Sequence, residues 1–132
     1  MMDILSYLRD LINTNEELFN IVEDRIYFYE TTENTDVSNT FIILTPITDI
    51  PADLVSDTFL SEEHTFQVDI EGYQRDEVVN VNSKIRRLLW DNNMYQLSSQ
   101  LDLYSDVTKR YVISRRYEGI PKNQYYKGEH IE

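Results

Sequence analysis

The chain has 132 residues, of which 41% are apolar and 27% charged, as in a single globular domain. It contains no cysteine, which excludes disulfide bonds, cysteine–zinc sites and thiol catalysis. Its net charge of −12 argues against non-specific binding to nucleic acid or anionic lipid, because both are polyanions.

The first part of the chain predicts two helices followed by two strands. Apolar side chains recur three or four residues apart in residues 3–13 and 16–22, which predicts two helices. Residues 25–29 and 41–44 are rich in β-branched and aromatic side chains and predict two strands. Pro46 either ends the second strand or places it at a sheet edge.

Residues 49–63 follow no clear period and predict a long loop, which is unusual in a compact domain. The loop nevertheless carries several apolar side chains, which suggest a docking segment. We expect it to be mobile in the free protein and ordered in an assembly, with the entropic cost that ordering carries. Its candidate interface residues are Leu54, Val55, Asp57, Phe59 and Leu60.

The second part of the chain predicts a strand, a helix and a hairpin. Residues 64–71 alternate strictly between apolar and polar and predict a half-buried strand. Residues 77–90 carry an apolar stripe at helical spacing and predict a helix capped by Asp76. Residues 95–103 and 109–117 predict two strands joined by a short turn, with alternate residues from Tyr95 to Leu103 on one side of the first.

These elements follow the order α-α-β-β-β-α-β-β, with no internal repeat. That order predicts an α+β fold: a mostly antiparallel sheet with helices packed on one face. We expect residues 1–121 to form a single domain and residues 122–132 to be a polar, flexible C-terminal tail.

Charge is unevenly divided along the chain. Residues 1–71 hold sixteen acidic and two basic side chains, a net charge of −14, whereas residues 72–132 hold eight acidic and ten basic ones, a net charge of +2. Such a chain can be electrostatically complementary to a second copy of itself. Alternatively, a compact fold intermixes the two halves and no charged patch survives.

The search for catalytic or ligand-binding motifs finds little. Three widely separated glycines cannot form a phosphate-binding loop, and His64 and His130 have no metal-binding spacing. His64 is predicted to be a solvated strand-end residue, and Asp69 and Glu71 to lie on the solvent face of their strand rather than to form a catalytic pair. We therefore expect no enzymatic activity, no cofactor and no metal, and the sequence predicts neither a signal peptide nor a membrane span.

Arg115 and Arg116 are adjacent within a predicted strand, so their side chains must point to opposite faces. One explanation is that both guanidinium groups reach solvent at the strand end. The other is that one of them pairs with a carboxylate of a neighbouring copy. The ten tyrosines also have two possible roles, in sheet packing or at an interface, since tyrosine is common both in strands and at protein interfaces.

Several short segments together resemble a known family. They are residues 24–27 (DRIY), 41–44 (FIIL), 47–51 (ITDIP), 56–57 (SD), 66–70 (FQVDI), 85–89 (IRRLL) and 115–117 (RRY). In order and spacing over about residues 3–119 they resemble the tail-completion, tail-terminator or neck proteins of bacteriophages with long, non-contractile tails.

The resemblance implies a structural role in the virion, at the tail neck, for a protein made in the host cytoplasm. Proteins of this family are small α+β domains that form a hexameric ring at the head-proximal end of the tail tube. The ring caps the tube and joins it to the head connector or stopper protein, and it has no catalytic residues. Its implied partners are itself, the tail tube protein and the connector; the genome passes through without specific binding, and no membrane is involved.

In such a ring, the acidic half of one copy would meet the basic half of the next, and an acidic lumen would repel the phosphates of passing DNA. The main alternative is a small acidic DNA mimic that inhibits a host nucleic-acid-binding protein. The net charge of +2 on residues 72–132 counts against mimicry, which benefits from acidic residues throughout. A small hydrolase is the least favoured of the three hypotheses.

Overall fold

Residues 3–51 and 62–121 are described by a computed structural model and form three helices and one five-stranded sheet. The α+β class predicted from the sequence is confirmed. In chain order, the elements are α1 (Ile4–Asn13), α2 (Glu16–Val22), β1 (Ile26–Phe28), β2 (Phe41–Pro51), β3 (Glu62–Gly72), α3 (Arg75–Asp91), β4 (Met94–Tyr104) and β5 (Tyr111–Gly119).

Helix α3 begins two residues before the predicted helix, and the predicted capping role of Asp76 is wrong. The amide of Val78 already donates to the carbonyl oxygen of Gln74 at 3.0 Å, so helical hydrogen bonding starts from Gln74. Asp76 lies instead in the first turn, where a carboxylate suits the positive end of the helix dipole.

The strands lie in the order β1-β2-β3-β5-β4, and only the β1–β2 pair is parallel among those described. Strand β1 pairs with β2 only from Ile42 to Leu44, so the rest of β2 lies at a sheet edge. Pro46 therefore does not end this strand but stands at its open edge, followed by a bulge before Thr48.

The predicted loop over residues 49–63 is wrong at both ends. Asp49, Ile50 and Pro51 pair with His64, Glu63 and Glu62, respectively, as the ends of an antiparallel hairpin. The sequence period does not indicate these pairs, because this stretch consists largely of polar residues and includes a proline. The pairing depends on the backbone of the opposite strand, which is distant in sequence. Residues 52–61, which connect β2 to β3 in the sequence, and the predicted tail, residues 122–132, lie outside the described residues.

The core lies between the three helices and one face of the sheet. Phe66, Val68 and Ile70 are buried on this face, as the alternation of β3 predicted. The ring of Phe66 stacks on that of Tyr117, with 5.8 Å between ring centroids, at the centre of the sheet. The buried helix side chains that cover this face are Ile4, Leu5, Leu8, Ile12, Leu18, Val22, Val78, Val81, Ile85 and Leu89.

A buried arginine joins α2 to the sheet. The side chain of Arg25, just before β1, donates from Nε to the carbonyl oxygen of Thr40 at 3.1 Å and from Nη2 to that of Ile21 at 2.8 Å. Its charge and length let one side chain satisfy carbonyl groups at the end of a helix and just before a strand. Sequence reasoning assigned Arg25 to a strand and missed this contact.

The end of β5 requires a glycine. Gly119 pairs with Met94, and a Cβ atom at position 119 would collide with the carbonyl oxygen of Asn93 and lie 2.7 Å from the Cα atom of Met94. The side chain of Asn93 also donates to the carbonyl oxygen of Ile120 at 2.9 Å. This close approach fixes the start of β4 against the end of β5.

Candidate interface

Strand β4 is one of the two outermost strands of the sheet, and every residue from 97 to 104 is exposed. An edge strand presents unpaired backbone groups, and soluble proteins rarely combine a long open edge with apolar side chains. Leu97, Leu101, Leu103 and Tyr104 are nevertheless 40–54% exposed. We call these four residues the β4 edge surface.

Two bulges interrupt the pairing of β4 with β5. They lie between Gln96 and Ser98 and between Ser99 and Leu101, and each shifts the register with β5 by one residue. Ser99 therefore stands opposite Arg115 and Leu101 opposite Ser114, which are adjacent residues pointing to opposite faces.

The sequence predicted that alternate residues from Tyr95 to Leu103 lie on one side of the strand. This is wrong for Ser99, which lies on the helix-covered face of the sheet. Leu101 and Leu103 lie on the other face, opposite Ser114 and Val112. No helix of the described part of the chain packs on this second face, which leaves both leucines exposed.

Arg115 and Arg116 point to opposite faces of β5, as predicted. Arg115 Nη1 donates to the carbonyl oxygens of Leu101 and Ser114, at 2.9 Å each, and so satisfies a carbonyl group at the second bulge. Arg116 Nε donates to Gln67 Oε1 at 3.0 Å on the face away from the helices. Both side chains are half-buried, and neither lies within 4.0 Å of a carboxylate of residues 3–51 or 62–121, so their other N–H groups remain available.

A row of polar side-chain contacts joins β3 to β5 and the turn before it, across the face away from the helices. Asp69 accepts from Ser114, and Glu71 accepts from Arg110 Nε at 3.1 Å. Asp69 and Glu71 lie, as predicted, on the face that no described helix covers, but contacts with the neighbouring strand half-bury both carboxylates. The other two contacts in the row are Thr65 with Glu118 and Gln67 with Arg116.

His64 is buried, not solvated as predicted from its apparent position at a strand end. It has a neighbouring strand on each side, since it pairs with Asp49 of β2, which continues past it, and with Gly119, the last residue of β5. Its side chain is 2% exposed, and its Nε2 atom lies 3.4 Å from Glu62 Oε1. Burial lowers the pKa of His64, and the charges of Glu62 and Asp49 oppose that shift.

We expect the stability of the protein to fall as the pH drops below 6.5, the ordinary pKa of histidine. The unfolded chain binds this proton more tightly than the folded chain, so the stability present above that pH is lost as the pH falls through it. Melting temperatures measured between about pH 7.5 and 5.5 should show the decline, and His64→Gln should reduce it. His130 is present in both chains, so an equal decline in the two would contradict this assignment.

An ion pair holds β4 against α3. Arg75, the first residue of α3, donates to both carboxylate oxygens of Asp102, at 2.8 and 3.3 Å. This hydrogen bonding lowers the pKa of Asp102. Such two-point contacts fix orientation as well as distance, so the edge strand has a defined position despite its exposure.

The other predicted interface residues are not described by the structure. Leu54, Val55, Asp57, Phe59 and Leu60 fall within residues 52–61, and their docking role stays a prediction. Within residues 3–51 and 62–121, no group of three or more histidine, aspartate or glutamate side chains is arranged to hold a metal ion. None of the helices described above combines the length and apolar character needed to cross a membrane.

Comparison with protein-family models and with curated proteins finds no match in either set. The fold does have a solved counterpart. A chain in the virion of a native gene transfer agent particle superposes with a TM-score of 0.61 and 9% sequence identity. The match covers 89% of this chain and 93% of that chain, so the likeness extends over nearly the whole of both. At this identity the comparison shows a shared fold.

Proposed function

We propose that this chain is a structural protein of a tailed phage or phage-like particle. The observation that carries the proposal is the near-complete coverage of both chains in the fold match to a gene transfer agent virion. Small domains can match parts of many larger proteins, whereas here two chains of similar extent correspond almost from end to end. The exposed β4 edge surface also suits a protein that works within an assembly.

Within that role, we propose a ring, with six copies as in the family that the sequence resembles, at the head-proximal end of the tail tube. The sheet supports this proposal because its two edges differ: one is β4, and the other is the short strand β1 followed by the uncovered latter part of β2. Unlike edges favour head-to-tail contacts, which close into a ring when the rotation per copy divides a full turn. The partners would be the tail tube protein and the head connector, and the ring would act without catalysis.

The DNA-mimic alternative fits the described surface less well. A mimic needs free carboxylates spaced like phosphates, whereas on the face of the sheet away from the helices Asp69, Glu71 and Glu118 contact Ser114, Arg110 and Thr65 of the same chain. The exposed leucines of β4 also have no counterpart in a phosphate backbone. We therefore favour assembly over mimicry.

The test is to image particles produced without this chain by negative-stain electron microscopy. We expect DNA-filled heads beside unjoined or overlong tails, because a missing terminator leaves tube growth uncapped. Supplying the intact gene in trans should restore joined particles, and a frameshifted copy serves as the matched control. Normal, infectious particles in the absence of the chain would contradict the proposed function.

A further inference from the structure

On each side of the sheet, a stretch of strand without a neighbour carries exposed apolar side chains. On one side this is the β4 edge surface. On the other it is residues 47–50 of β2, where Ile47 and Ile50 are 39% and 52% exposed. The apolar side chains of both segments are exposed, so each segment would bury apolar area in a contact with another molecule.

The charges beside the two segments are of opposite sign. Asp49 and Glu63 adjoin the β2 segment, and no cationic side chain of the described residues lies within 4.0 Å of either. Arg115 and Arg116 adjoin the middle of β4 and keep N–H groups without an acceptor in the described part of the chain. An edge with free carboxylates and an edge with free guanidinium groups attract each other.

Contact between two β4 edges is disfavoured by the same charges. It would bring the arginines of one copy towards those of the other, and juxtaposed like charges oppose association. The complementary arrangement joins unlike edges of successive copies.

Backbone geometry favours contact through side chains rather than a continued hydrogen-bond ladder. Pro46 has no N–H group to donate, and a bulge follows it in β2. The two bulges of β4 likewise interrupt the even spacing of its free backbone groups. These features prevent open-ended strand addition while leaving the isoleucines and leucines able to pack.

We propose that the β4 edge surface of one copy packs against residues 47–50 of a second copy, with Asp49 and Glu63 facing the Arg115–Arg116 pair. The inference rests on the proposed ring and identifies the two surfaces that meet in it. Each copy uses one edge of each kind, so the contact repeats around the ring.

The chain's lack of cysteine makes cross-linking a clean test, because introduced thiols are the only ones it carries. Ile50→Cys and Leu101→Cys copies, one of them tagged to change its mass, are expressed together in particle-producing cells and treated with a short bismaleimide. We expect the two variants together to give about ten-fold more cross-linked dimer than either variant gives when expressed alone. The reason is that contact between the two surfaces raises the effective concentration of the two thiols. Val79→Cys, exposed on α3, replaces Ile50→Cys in the matched control.

The outcomes separate this contact from the proposed function. Dimers formed by Leu101→Cys alone would mean that β4 edges meet each other, and would overturn the inference. Equal cross-linking with the Val79→Cys control would also overturn it. Incorporation of both variants into particles without mixed dimers would refute the contact while leaving the virion role intact. Absence of the chain from purified particles would refute the virion role and this ring contact with it.

Discussion

Arg116→Glu should lower incorporation of the chain into particles by at least about 100-fold while the isolated chain still folds. Arg116 makes a single side-chain hydrogen bond, to Gln67 Oε1, so the substitution removes one contact from the isolated chain. The amide nitrogen of Gln67 keeps its own contact with Asp69. In the proposed ring the substitution places two carboxylates together, and disrupting a desolvated ion pair costs roughly 3–5 kcal/mol. The measurements are the amount of chain per purified particle and the melting temperature of the isolated chain.

Arg115→Glu should behave differently, since its carboxylate would face the carbonyl oxygens of Leu101 and Ser114. We expect it to lower the melting temperature of the isolated chain as well as its assembly. Arg87→Glu, on the exposed side of α3, makes the same charge change away from the contact and should assemble normally. If Arg116→Glu assembles like the unaltered chain at low and physiological salt, the contact is not electrostatic.

Gly119→Ala should lower the free energy of unfolding by about 2–3 kcal/mol, as overpacking does elsewhere. The added Cβ atom meets the backbone of Asn93 and Met94, which cannot rotate away as a side chain could. In a chain of this size the loss corresponds to a decrease of about 10 °C in the melting temperature. Glu118→Ala is the matched control, and equal melting temperatures for the two variants would contradict the close approach.

The sequence predicted the elements whose signal is local. The helices α1, α2 and α3 follow from their apolar stripes, and β3 follows from the alternation around Phe66, because both periods are set by the chain's own geometry. The α+β class follows from the order of these elements. Each of these predictions needed only neighbouring residues.

The features that define the candidate interface depend on distant residues, and sequence reasoning missed them. The two bulges that put Ser99 on the opposite face from Leu101 are visible only against β5. His64 is buried because Asp49 and Gly119 continue the sheet on both sides of it. The adjacent arginines could be predicted to diverge, but not to bind a bulge carbonyl group and the Gln67 amide.

The two attachments of β4 affect how the strand responds to force. A strand pulled away from a sheet peels from one end, breaking its hydrogen bonds one at a time, whereas a strand pulled along its length loads them together. The side chain of Asn93 bonds to Ile120 at 2.9 Å beside one end of β4, and Asp102 pairs with Arg75 at 2.8 Å near the other. Peeling from either end therefore meets a side-chain attachment within the first few residues. A neighbour that pulls on β4 is resisted by the hydrogen bonds between β4 and β5 and by the contact with α3.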